Sequence, residues 1–131
     1  MKYTFQEFIE YGLDRTDNIV NGLPWTFDFY GYSVTHENDD CYLLVKYNRT
    51  IRFTKGEIMQ FCEKCCDTMN CSIAIVEKEK EVKGKIIKYI GKHAYCNECK
   101  HPVFIPEIRD YNLDALDMAY VLYYVRYGEE L

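Results

Sequence analysis

The 131 residues predict an α+β chain: an N-terminal helix with a small antiparallel sheet, followed by a ribbon with a long β-hairpin and a C-terminal helix. Three observations carry that expectation. A capping-box pattern opens an apolar stripe near the N-terminus. Runs of period-two hydrophobicity fill the middle of the chain. Two Cys-x-x-Cys pairs then bracket a strand–turn–strand pattern ahead of a last helical stripe.

Thr4 followed three residues later by Glu7 is the capping box, and Phe5, Phe8, Ile9 and Leu13 share one face of the helix it starts. Asp17, Asn18, Asn21, Gly22 and Pro24 break that helix. From Trp25 the period switches to two: Trp25, Phe27 and Phe29 alternate with polar neighbours, and Tyr32 and Val34 continue the pattern beyond Gly31. Glu37 to Asp40 is turn chemistry, and Cys41–Tyr47 and Thr50–Thr54 read as two further strands. Ser72–Val82 and Lys85–Tyr95 are β-prone and separated by the turn dipeptide Lys83-Gly84. Their row of Glu77, Lys78, Glu79, Lys80 and Glu81 suits a hairpin with one solvated face. Val103-Phe104-Ile105 reads as a short strand stopped by Pro106. Asp110 can cap a final helix with Leu113, Leu116, Tyr120, Tyr123 or Tyr124, and Tyr127 on one face.

Composition bounds the function classes. Sixteen basic against twenty-one acidic side chains give a net charge of −5, which argues against nucleic acid or an anionic membrane as the main partner. No apolar run approaches the roughly 18 residues of a bilayer crossing, and MKYTFQEFIEYGL carries acids inside its apolar stretch, unlike a secretory signal. Seven cysteines, an odd number, point to a reducing cytoplasm and to metal ligation, not a disulfide framework. Residues 1–60 hold only Cys41, while 61–100 hold the other six. The expected division is therefore a helix-plus-sheet module over 1–58 and the ribbon with its C-terminal helix over 59–131.

Cys62-x-x-Cys65 paired with Cys96-x-x-Cys99 carries the most chemistry. Two intervening residues let both thiolates of a knuckle reach one ion, and a hairpin brings two knuckles together. Four thiolates exclude magnesium and calcium and favour one structural Zn2+ per chain, without an open position for catalysis. Cys66, Cys71 and His101 stand close enough in sequence to replace a knuckle member. The matched spacing favours the four named, and Cys41 is read as packing.

Phe61-Cys62-Glu63-Lys64-Cys65, the Val82-Lys83-Gly84-Lys85 turn, Tyr95-Cys96-Asn97-Glu98-Cys99 and Val103 through Asp110-Tyr111-Asn112-Leu113 together resemble a known module. It is the zinc ribbon of bacterial and phage antitoxin-type regulators, where the ribbon precedes a helix-turn-helix or a Panacea-type domain. The resemblance covers about residues 61–120 and implies zinc on Cys62, Cys65, Cys96 and Cys99. With Leu131 as the last residue, the family's DNA-binding domain is expected to be absent. Pro24-Trp25-Thr26-Phe27 through Val34 to Asp40 is similar to stretches of small phage proteins, which implies a phage or prophage origin and action in the host cytoplasm.

Outside the cysteines, His36 and Glu37 with Asp39 and Asp40 invite a hydrolytic reading. A metalloprotease helix would need a histidine where Asp40 stands, so a polar turn is the simpler reading. No phosphate loop or nucleophile elbow is visible, and the chain is expected not to be an enzyme. The resulting expectation is a protein-binding inhibitor of a host defence machine, most of all an RNA-guided CRISPR nuclease. The alternative is an antitoxin-like or transcription-regulating accessory protein. Candidate partner contacts are Tyr30, Tyr32, Glu37, Asp39, Asp40, Tyr123, Tyr124 and Tyr127, with Glu129 and Glu130 as further acids. A homodimer through the C-terminal helix is a further expectation.

Overall fold

A computed structural model describes residues 2–127. The α+β class is as the sequence predicts, with twelve elements in the order β1 (Lys2–Thr4), α1 (Phe5–Leu13), β2 (Ile19–Val20), β3 (Leu23–Pro24), β4 (Thr26–Phe29), β5 (Tyr32–Asn38), β6 (Cys41–Lys46), β7 (Arg49–Thr54), β8 (Ile58–Cys62), β9 (Asp67–Val82), β10 (Lys85–Cys96) and α2 (Pro106–Tyr127). They form two compact units: Met1–Ser72 with Tyr95–Val103, and Ile73–Ala94 with Phe104–Leu131. The composition boundary at 58/59 falls at the start of β8, and the first unit takes in both cysteine knuckles.

The first unit is built around aromatic rings. The capping box forms: the Glu7 amide donates to Thr4 Oγ1 at 3.2 Å, and the Thr4 amide donates to Glu7 Oε1 at 3.0 Å. These bonds hold the Glu7 carboxyl below its ordinary pKa. Helix α1 then lays Phe8 across the antiparallel meander β4-β5-β6-β7, with ring centroids 5.2 Å from Phe27, 4.9 Å from Phe29, 5.5 Å from Tyr42 and 4.9 Å from Phe53. These are edge-to-face and tilted distances at which aromatic pairs attract beyond their buried area. Gly12 permits this close approach, because a Cβ there would sit 2.6 Å from the Phe27 ring. Tyr42 is fully buried, and its hydroxyl donates to the Pro24 carbonyl at 2.7 Å; burial pushes its pKa to about 12.

The second sheet runs in the order β1-β8-β9-β10. Strands β1 and β8 are not anticipated from sequence. Tyr3 pairs with Met59 across them, and Gln60 with Met69 across β8 and β9. Strand β9 also starts at Asp67 instead of Ser72, because its first five residues pair with β8. The turn at Lys83-Gly84 is as expected, and φ of 51° and 79° supply the left-handed pair that a two-residue hairpin needs.

In the second unit, α2 packs on the distal part of the hairpin. Asn112 fixes the contact: its Oδ1 accepts from the Lys92 amide at 2.7 Å and its Nδ2 donates to the Lys92 carbonyl at 2.9 Å. Gly91 leaves room for it, since a Cβ would stand 2.7 Å from Asn112 Oδ1. The helix begins at Pro106, not at Asp110, and Val103-Phe104-Ile105 forms no strand. Proline suits the first helical position, where its missing N–H would have had no partner, and the Arg109 amide reaches Ile105 O at 3.1 Å. Leu113 is half exposed, so the packed side is carried by Leu116, Tyr120, Tyr123 and Tyr124. Among the described residues no helix is long and apolar enough to cross a membrane.

Candidate metal centre

Four sulfurs converge in the first unit. The Sγ atoms of Cys62, Cys65, Cys96 and Cys99 all lie within 4.8 Å of one another. Cys62 is 3.4 Å from Cys99 and Cys65 is 3.9 Å from Cys96, so each close pair joins one knuckle to the other. Cys62 and Cys96 are fully buried, Cys65 and Cys99 half-buried, and all seven cysteines are free thiols. Such a group can hold a metal ion, and it is the only such cluster among the described residues. An all-sulfur donor set suits a soft cation.

The two knuckles share a backbone feature. In each, the residue after the second cysteine adopts the left-handed region: Cys66 at φ 56° and Lys100 at φ 65°. The chain turns back there, and the Lys100 amide donates to Cys96 O at 2.8 Å while the Cys96 amide donates to His101 O at 2.9 Å. The neighbours that spacing left open stand outside the cluster. Cys66 is exposed, with its thiol on the Glu63 carbonyl at 3.2 Å. Cys71 is fully buried, its thiol directed at Met69 O at 3.4 Å, and burial pushes its pKa to about 12. His101 enters through its backbone amide, which pulls the Cys99 thiol down to about 7. Burial drives the Cys65 and Cys96 thiols the other way, upward. A cation among the four sulfurs would offset that cost by stabilising the thiolates.

Side chains invisible to motif reading brace both knuckles. Asp67, directly after the first, receives Lys46 Nζ at 2.7 and 2.8 Å and Arg49 Nη1 at 3.0 Å. Burial works against its charge, yet Lys46, the Thr68 amide and Arg49 outweigh it and hold the carboxyl below its ordinary pKa. Tyr32 adds a 2.7 Å hydrogen bond from its hydroxyl to Thr68 O. In the second knuckle, Asn97 donates to Glu57 Oε2, accepts from Ser72 at 2.8 Å and gives its amide to Asn70 O at 3.0 Å. These partners lie 18 to 40 residues away in sequence from the residues they hold, which is why no local pattern signals them.

The partner candidates scatter. Tyr32 is fully buried and is a core residue, not a surface anchor. Tyr30 is half exposed at the β4–β5 turn, with its hydroxyl 2.8 Å from that of Tyr3. Glu37 pairs with Arg52 at 3.1 Å, which holds its carboxyl below the ordinary range. Asp39 and Asp40 are exposed at the β5–β6 turn, as a polar turn requires. His36 stacks on Trp25 at 4.4 Å and meets Asp39 at 3.3 Å, an arrangement that uses the imidazole in packing. Tyr124 is buried and Tyr123 half-buried on the packed side of α2. The Tyr127 side chain, Glu129 and Glu130 lie outside the described residues. No family model, curated protein or solved structure matches this chain.

Proposed function

We propose that the protein is a zinc-braced binding protein that acts by occupying a surface of a protein target, without turnover. The fit of zinc rests on the sulfur geometry. Thiolates about 2.3 Å from zinc stand about 3.8 Å apart at the corners of a tetrahedron, and the two close cross-knuckle distances, 3.4 and 3.9 Å, straddle that value. Cys62, Cys65, Cys96 and Cys99 would hold the ion, which supplies a cross-link between knuckles.

The observation that carries the binding reading is the second unit's surface. Ile73, Ile75, Ile86 and Ile90 on the hairpin, and Met118, Val121, Leu122 and Val125 on α2, are all between 42% and 73% exposed. Isolated exposed apolar residues are ordinary, but this density on one small unit is the mark of an interaction surface. The acidic balance of the chain, taken with the resemblance to small phage proteins expected from its sequence, is the ground for choosing a host defence machine as the target. An RNA-guided nuclease, with its basic nucleic-acid channel, is the first to test.

Two measurements test this. Elemental analysis of freshly purified protein should give about one zinc per chain, and absence of any transition metal would remove the brace. Titration into an RNA-guided nuclease should give stoichiometric, reversible inhibition that weakens with salt. Inactivation by sub-stoichiometric protein, with the nuclease or guide chemically altered, would show an enzyme instead. An adjacent toxin that the protein neutralises, with no effect on the nuclease, would favour the antitoxin-like reading.

A further inference from the structure

Helix α2 is apolar on two sides, and only one is used. The inner side meets the hairpin through Asn112 and carries half-buried Ile108, Leu116 and Ala119 and buried Tyr124. The opposite side carries Met118, Val121, Leu122 and Val125, exposed between 54% and 73%, while Tyr111 near its start takes the Lys92 ammonium 4.1 Å from its ring centroid. A helix that merely covers a sheet needs one stripe and presents polar residues outward. Here Met118 and Val125 stand seven residues apart, with Val121 three residues after Met118, which is the seam spacing by which one helix receives another.

The polar residues along that seam state what the other helix must be. Asp114 stands in the seam itself, where the spacing calls for an apolar residue, and Asp110 and Asp117 flank it; all three are exposed. Arg109 reaches Asp110 at 3.2 Å, leaving Asp114 and Asp117 as the carboxylates of the seam's first half. The second half, from Met118 to Val125, is apolar throughout its exposed side. A second copy of α2 fits poorly. Parallel pairing would set Asp114 against its own counterpart, and antiparallel pairing would press it onto the apolar half, and a carboxylate buried without a partner is costly.

We infer that the outer face of α2 is a docking site for an amphipathic helix of a partner protein, apolar along one side and bearing lysine or arginine where it meets Asp114 and Asp117. This deepens the binding-protein reading and rests on it. The apolar half supplies affinity, and the acidic half fixes direction and rejects helices of the wrong charge.

The test uses a fluorescently labelled synthetic helix of leucine and lysine with its leucines on one face. A control peptide of equal composition disperses the leucines around the helix. Binding to the full chain is followed by anisotropy at low and high salt. The facially ordered peptide should bind at least about tenfold more tightly than the dispersed one, and Leu122→Asp should weaken it by about tenfold. Because Leu122 is exposed, the variant should keep the wild-type circular dichroism spectrum. Asp114→Asn with Asp117→Asn should flatten the salt dependence. Equal binding of both peptides, or an unchanged affinity for Leu122→Asp, overturns the proposal. So does a concentration-dependent dimer that Leu122→Asp dissociates, since the face would then be covered by a second copy. A chain that inhibits the nuclease but fails here loses this surface alone; one that binds the peptide but leaves the nuclease untouched loses only that target.

Discussion

The two units solve the same problem of a small core in opposite ways. The first closes on itself: Phe5, Phe8, Phe27, Phe29, Tyr42 and Phe53 interlock, and four sulfurs gather where β8 and β10 end. The second is open. Its described core is Ile87, Ala94, Ile105 and Tyr124, while most of its other large apolar side chains face outward. A unit that buries so little owes its stability to the continuous strands of its hairpin and to the Asn112 clamp, and it leaves its surface for other uses. A packed aromatic core and an exposed apolar surface are thus assigned to different parts of one short chain.

The largest effect should come from the metal. Structural zinc in small sites contributes on the order of 10 kcal/mol at neutral pH, so Cys96→Ser or strong chelation should abolish the cooperative unfolding transition of the first unit. Trp25, the single tryptophan, lies in that unit, and its fluorescence reports the loss directly. A wild-type transition in Cys96→Ser would mean that the aromatic core stands without the sulfur cluster.

Next comes packing. Phe8 is fully buried among four rings, so Phe8→Ala should cost about 3–5 kcal/mol. Leu122→Ala, half exposed on α2, should change stability by less than about 0.5 kcal/mol. Urea denaturation of both variants checks the contrast, and a large loss for Leu122→Ala would show that the second unit is closed too.

Legibility in the sequence divides along a different line, between local and distant information. The four cysteines, the Lys83-Gly84 turn, the capping box and the meander turns are spelled within a few residues, and each forms as read. Strand β8 is hidden because Ile58–Cys62 has no clean alternation: Ile58, Met59, Gln60 and Cys62 are all buried, and its partners Lys2–Thr4 lie more than fifty residues away. Tyr32 reads as a surface tyrosine, and only the fold brings the Thr68 carbonyl to its hydroxyl. Pro106 reads as a stop, and the structure uses it as a start.

A third, pH-dependent effect probes the closed core. An unfolded tyrosine ionises near pH 10, whereas buried Tyr42 in the fold does so near 12. Its raised pKa means that its contribution is fully present below pH 10 and is lost as pH climbs through 12, by on the order of 2 kcal/mol. Stability should therefore fall along this alkaline limb, and Tyr42→Phe should make the fall shallower. An unchanged slope between about pH 10 and 12 in urea midpoints would show that the Tyr42 hydroxyl is solvated.

The smallest effect compares the units at one backbone conformation. Cys66 in the first and Lys83 in the second are both left-handed, at φ 56° and 51°, where a side chain with a Cβ is strained by about 1 kcal/mol. Glycine relieves that strain but adds freedom to the unfolded chain, so Cys66→Gly should stabilise by at most about 1 kcal/mol and leave the metal content unchanged. Asparagine tolerates the same region, and Lys83→Asn should gain a few tenths of a kcal/mol, about what a better hairpin turn contributes. The decisive reading is the first. If Cys66 merely occupies the turn of its knuckle, as the match with Lys100 requires, its thiol is dispensable and the variant holds its metal through the same chelator challenge as wild type. Loss of metal from Cys66→Gly would make Cys66 a ligand, break the equivalence of the two knuckles, and displace Cys65 from the site.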